Sequence, residues 1–177
     1  MAEEALRTHN PPLRWHRLME TAKNFAAEQL ISNQSHITLI LAFREGVKPT
    51  SFPLVESRVS LERAQLFIRA TNPSAVAIIS TVWFVPDFGE HTHLPIRDSD
   101  QRREGLSVNM FYRSQGKKYL VMSLREIERA EDGRIIGLGP NMAFSDGVTG
   151  GDLCRLFPLK PFSRAEQTQA RRLMENL

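Results

Sequence analysis

The densest collection of reactive side chains in this 177-residue chain runs through Asp87, Glu90, His91, His93, Arg97, Asp98, Asp100, Arg102, Arg103 and Glu104. Within it, His91-Thr92-His93 is an H-x-H spacing. In an extended segment alternate side chains fall on the same side, so both imidazoles reach toward one point. Asp98 or Asp100, the latter taken with His91 and His93 as the candidate set, would complete a His-His-Asp site that suits zinc or another divalent metal with an open position for water. An ion held in this way lowers the pKa of its water, which is the chemistry of a metal-dependent hydrolase. Asp98, Arg102, Arg103 and Glu104 alternate in sign and suit a small anionic or zwitterionic ligand, since a guanidinium grips carboxylate or phosphate with two parallel bonds. The plainer alternative, and the favoured one, is a solvated loop whose charges pin one another.

The H-x-H spacing is similar to that of the JAMM-type zinc hydrolases, where Ser follows seven residues later and Asp two residues beyond it. Here the pattern departs, because five residues separate His93 from Ser99 and Asp100 follows Ser99 directly. A third chemistry is single-stranded nucleic-acid binding. Phe111, Tyr112 and Tyr119 stand beside Arg113, Lys117 and Lys118, a pairing of stacking surface with charge. No recognisable RNA-binding signature accompanies it, so nucleic acid is the less favoured partner. The glycines at 137 and 139 are followed by Pro140 instead of a helix, and Gly147 to Gly151 lacks the Lys-Ser/Thr ending of a phosphate loop, so both read as turns. Cys154, the only cysteine, reads as a small buried residue and rules out an internal disulfide framework.

These groups need a scaffold, and the block from Arg103 to Gly139 supplies its clearest part, two successive β-hairpins. If Ser114-Gln115-Gly116 is a three-residue loop with Gly116 at positive φ, Met110 falls opposite Leu120, Val108 opposite Met122 and Leu106 opposite Leu124, which makes one face wholly apolar. The other face then pairs Phe111 with Tyr119, Asn109 with Val121 and Ser107 with Ser123. A two-residue loop shifts the register by one and mixes both faces, so the three-residue loop is preferred. That register also sets Glu104 opposite Glu126, a like-charge pair that calls for Arg102, Arg103 or Arg125 as counter-charge. Asp132-Gly133 suits a two-residue type I′ turn with Ala130 opposite Ile135.

Upstream, Trp15, Leu18, Met19, Ala22, Phe25, Ala26 and Leu30 recur at helical spacing over 15–31, after a flexible arm over 1–14 that contains Pro11-Pro12. His36 to Phe43 reads as a strand and Gly46 to Pro53 as a turn in the chain. Ser60 is placed to cap a helix from Leu61 to about Ala70, closed by Asn72-Pro73. Ala75 to Val85 is almost continuously apolar and suits a central strand buried on both faces; its pairing with His36–Phe43 is open between parallel and antiparallel. Ser163 with Glu166 three residues later is a capping box opening a last helix.

The order from Ala75 to Gly139 (an apolar strand ending in Trp, a Pro-containing loop, Asp-x-Asp-x-Arg-Arg-Glu at 98–104, a strand, a second strand ending in Arg-Glu-Ile, then Asp-Gly) resembles a group of small uncharacterised bacterial α+β proteins with no established activity. The resemblance implies a bacterial or phage-related, cytoplasmic setting and carries no activity with it. Composition agrees with an ordinary folded chain at 41% hydrophobic and 24% charged. There is no run of about 18 apolar residues to span a membrane and no apolar signal segment. The net charge of +3 is spread along the chain, with 10 basic and 11 acidic side chains in the first hundred residues and 13 and 9 in the rest. The expectation is one α+β domain over 15–177, a mostly antiparallel five-stranded sheet with a meander at 103–139. The two earlier helices are expected on one face, and the last to close an edge or an end. Its function is expected to be that of a small non-catalytic module binding a small molecule or a protein.

Overall fold

Burial of Trp15, Met19, Ala22, Ala26 and Leu30 follows one stripe of a helix, α1, that spans Leu13–Asn33. The computed structural model describes residues 13–54, 58–86, 101–114, 117–142, 156–158 and 160–175. After α1 come β1 (Thr38–Arg44), β2 (Val47–Pro53), α2 (Arg58–Thr71), β3 (Ala75–Phe84), β4 (Arg103–Ser114), β5 (Lys117–Arg129), β6 (Ile135–Met142) and a C-terminal helix, α3 (Arg164–Glu175). The strands form one sheet in the order β2-β1-β3-β4-β5-β6, and every neighbouring pair is antiparallel. The class is the expected α+β, with six strands instead of five.

The additional strand is β2, the stretch expected only to turn the chain. Its two prolines and polar residues argue against a central strand, and it is an edge strand, mostly exposed, where proline is tolerated. Pairing of β1 with β3 is antiparallel, Leu41 opposite Ala77. The helix-bearing crossover instead joins β2 to β3, which run parallel to each other on either side of β1.

The placement of the helices also differs from expectation. Alternation along the strands makes two cores. On one face α1 packs on Leu41, Ala77, Ile79, Val108, Met110 and Tyr112; on the other α2 brings Ala64, Phe67 and Ile68 against Ile40, Val76, Ile78 and Phe111. α3 joins α2 on that second face, with Met174 against the same cluster. The first two helices are therefore on opposite faces because the central strands are apolar on both sides. α2 starts at Arg58, which places Ser60 inside the helix instead of at its cap.

The first hairpin takes the register rejected from sequence. Ser114 pairs with Lys117, so two residues separate the strands, and Met110 falls opposite Val121, Phe111 opposite Leu120 and Tyr112 opposite Tyr119. The second hairpin takes the longer loop. Ala130 N–H donates to the Arg134 carbonyl and Gly133 N–H to the Ala130 carbonyl, 2.9 Å each, so Glu131, Asp132 and Gly133 form the loop, with Gly133 at φ +82°. A type I′ turn also needs positive φ at Asp132, which it lacks. Its carboxylate instead accepts from Arg134 N–H at 3.0 Å and Arg134 Nε at 2.6 Å, and these bonds hold it below the usual carboxylate range.

Candidate functional site

β3 leaves and β4 enters the sheet at the same end, where Trp83 faces Glu104 and Phe84 faces Arg103. Strand alternation sends adjacent side chains to opposite faces, so Arg103 and Glu104 do not converge. Arg103 Nη1 pairs with Glu126 Oε2 at 2.8 Å. Glu104 is tucked in, 9% exposed, and accepts a fork from Arg129, Nε at 2.8 Å and Nη2 at 3.0 Å. These bonds raise the pKa of Arg129, whose Nη1 also donates to the Gly133 carbonyl at 2.7 Å.

His36, from the segment before β1, sets Nδ1 2.9 Å from Thr81 Oγ1 and 3.3 Å from Glu104 Oε1. Beside this group Trp83 is 50% exposed, with the Arg102 guanidinium 5.1 Å over its ring. The expected like-charge pair of Glu104 and Glu126 does not occur, because the one-residue difference in register sets Gly105 opposite Glu126. Each carboxylate has its own arginine. Chemically, Glu104 has both oxygens occupied and is not poised as a base; the group is a neutralised polar rim next to an exposed aromatic.

Of the residues singled out from sequence, Arg102, Arg103 and Glu104 are placed here, on two faces. Asp98 and the metal set His91, His93 and Asp100 lie outside the described residues, as does Cys154. Among the described residues no group of three or more His, Cys, Asp or Glu could hold a metal ion, and no helix is long and apolar enough to cross a membrane. In the aromatic and basic hairpin considered for nucleic acid, Tyr112, Arg113, Lys118 and Tyr119 make contacts within the fold. Tyr112 is fully buried between Trp15 and Tyr119, at ring separations of 4.6 and 5.2 Å. Arg113 lies 4.3 Å over Phe157 and donates to the Pro158 and Pro73 carbonyls at 2.8 and 3.0 Å, and Lys118 donates to the Phe157 carbonyl at 3.3 Å. Burial lowers the pKa of Arg113.

Sequence reasoning missed His36, Thr81 and Arg129. They come from three separate strands or strand approaches, with no short-range spacing to mark them; only the register of β4 against β5 would bring Arg129 within reach of Glu104. The class is thus an open antiparallel sheet between helices, with one exposed tryptophan and a group of ion pairs at one end. A scan against protein-family models and searches of curated proteins and of solved structures find no match to this chain.

Proposed function

We propose that this protein is a non-catalytic interaction module that engages a protein partner through the surface centred on Trp83. The observation that supports this reading is the half-exposure of Trp83 on a central strand whose other half is core. Leaving an indole in water forgoes much of the stabilisation from burying a ring of this size. Tryptophan and arginine are the residues most enriched among those dominating binding energy, and such anchors work inside a rim that excludes water. Here Glu104, Arg129 and His36, already paired with one another, supply a rim whose charges need no new counter-ion on binding.

Peptide ligands selected from a displayed random library against the folded protein test it. Trp15 is buried, so emission quenched by acrylamide reports on Trp83. The expected ligands shield that emission and lose roughly thirtyfold in affinity on Trp83→Ala, the loss of a typical binding hot spot. Ligands that bind the Trp83→Ala variant as well as the wild type would overturn the reading.

A further inference from the structure

The three helices are held to the sheet by different means. α1 buries Trp15, Met19, Ala22, Ala26 and Leu30, and α2 buries Ala64, Phe67, Ile68 and Ala70. α3 buries Ala170 alone; Gln167 and Met174 are half-buried and the rest of its 12 residues are exposed. A surface helix is kept in place chiefly by burying an apolar stripe, because propensity is too weak at this length. α3 has little of that stripe and leans on polar ties instead.

Among the described residues these ties are few. Asn72, at φ 45° just past α2, accepts the Phe162 N–H on Oδ1 at 3.0 Å and donates Nδ2 to the Phe162 carbonyl at 3.4 Å. Arg171 Nε donates to the Ala70 carbonyl at 3.3 Å. The Arg69 guanidinium lies 5.6 Å over the Phe162 ring and attracts Glu166 in the first turn. Two of the three hydrogen bonds are long. Gln34 makes the same amide exchange with Ile135, Nε2 donating to the carbonyl at 3.0 Å and Oε1 accepting the N–H at 2.7 Å, but there it supplements the five buried side chains of α1. α3 also follows the last strand, so no strand pairing depends on it. We infer that α3 is a releasable strap, latched by Asn72: it leaves α2 as a unit while the sheet, α1 and α2 stay folded, and bares Arg69, Ala70 and Asn72 at the end of α2. A 12-residue helix with no surface to pack on is marginal in water, so release and melting are one order–disorder step. Access to that end of α2 is set by the strap's own equilibrium, in which the closed form prevails.

Native-state hydrogen exchange in rising, sub-denaturing urea tests this, under conditions where reclosing outruns exchange. In the wild type the α3 amides are expected to be about tenfold or more less protected than those of Val76 to Ile79 in β3, with a weaker urea dependence, because release exposes less surface than unfolding does. Ala26→Gly, at a buried position of α1 on the opposite face of the sheet, separates the two processes. It is expected to speed exchange in β3 about fivefold and to leave α3 unchanged, since α1 stays folded when the strap opens. Asn72→Gly, which removes the amide and keeps the positive φ, is expected to speed exchange in α3 severalfold. The inference is overturned if α3 and β3 share one protection factor and one urea slope, or if Ala26→Gly speeds both alike. It is equally overturned if Asn72→Gly leaves the α3 amides as protected as in the wild type.

Discussion

Gly105 shows how much a single position in this sheet is constrained. A Cβ built there would lie 2.8 Å from Leu124 Cδ1 and 2.8 Å from Phe84 Cε1, both on buried side chains from the strands on either side. Its need is for space, with no positive φ involved. Because two neighbours must move at once in a packed interior, Gly105→Ala is expected to cost about 1–3 kcal/mol in urea unfolding. Adding Phe84→Leu should recover part of that loss, since the ring is half of the obstruction. Equal destabilisation with and without Phe84→Leu would show that the ring is not the obstacle. Residue chemistry was only partly readable beforehand. The charges at 102–104 were visible as a group, yet which of them meet depends on strand alternation and on a one-residue register. Glu104 found Arg129, twenty-five positions away, for which no local spacing gives a sign.

At the scale of elements, signals confined to a few residues were legible and signals that depend on the opposite layer were not. The capping box at Ser163 and Glu166 forms as its spacing implies: Ser163 N–H and Oγ–H donate to Glu166 Oε2 at 2.8 and 2.7 Å, and Glu166 N–H donates back to Ser163 Oγ at 3.3 Å. The expected hairpin register does not form because it rests on one wholly apolar face with the other mixed and half-exposed, whereas Met110, Phe111 and Tyr112 are all buried, on both faces. Both positive-φ residues that end helices do a second job outside any local pattern. Asn72 exchanges two hydrogen bonds with the backbone of Phe162, ninety positions away, as Gln34 does with Ile135. The capping box gives a pH prediction. The hydroxyl and then the backbone N–H of Ser163, helped by Arg69, hold the Glu166 carboxyl below its ordinary pKa. A depressed carboxyl contributes stability that is complete above its unfolded pKa and is lost as pH falls through the folded one. The amides of the first turn of α3 should therefore lose protection below about pH 4, the ordinary glutamate range. In Glu166→Gln that acid dependence should be flat; an unchanged dependence would place its origin elsewhere.

For the whole molecule, the decisive feature is that one sheet serves two cores. Alternate residues of β1, β3 and β4 belong to the α1 side and to the α2 and α3 side, so neither layer has a sheet of its own. The long apolar run at 75–85 made the double burial readable; which helix takes which face is a matter of connection geometry that leaves no trace in composition. Arg113 binds the second layer together. Its guanidinium joins the Pro73 carbonyl, just ahead of β3, to the Pro158 carbonyl, just ahead of α3, while stacking on Phe157. Desolvation works against this cation, as its lowered pKa records, so the two carbonyl bonds and the ring contact must offset that cost. Truncation leaves both carbonyls without their donor and Phe157 without its cover, and Arg113→Ala is expected to cost about 2–4 kcal/mol. Arg113→Met, which keeps the stem but removes the charge and its desolvation cost, should lose less. Because the layers share the sheet, the loss should appear as a single earlier transition, with far-ultraviolet circular dichroism and the emission of Trp15 on the opposite face changing at the same urea concentration. Trp83→Phe removes the second indole from that signal. A helical transition that precedes the change at Trp15 would mean that the α2 and α3 layer unfolds by itself and that the shared sheet does not couple the two cores.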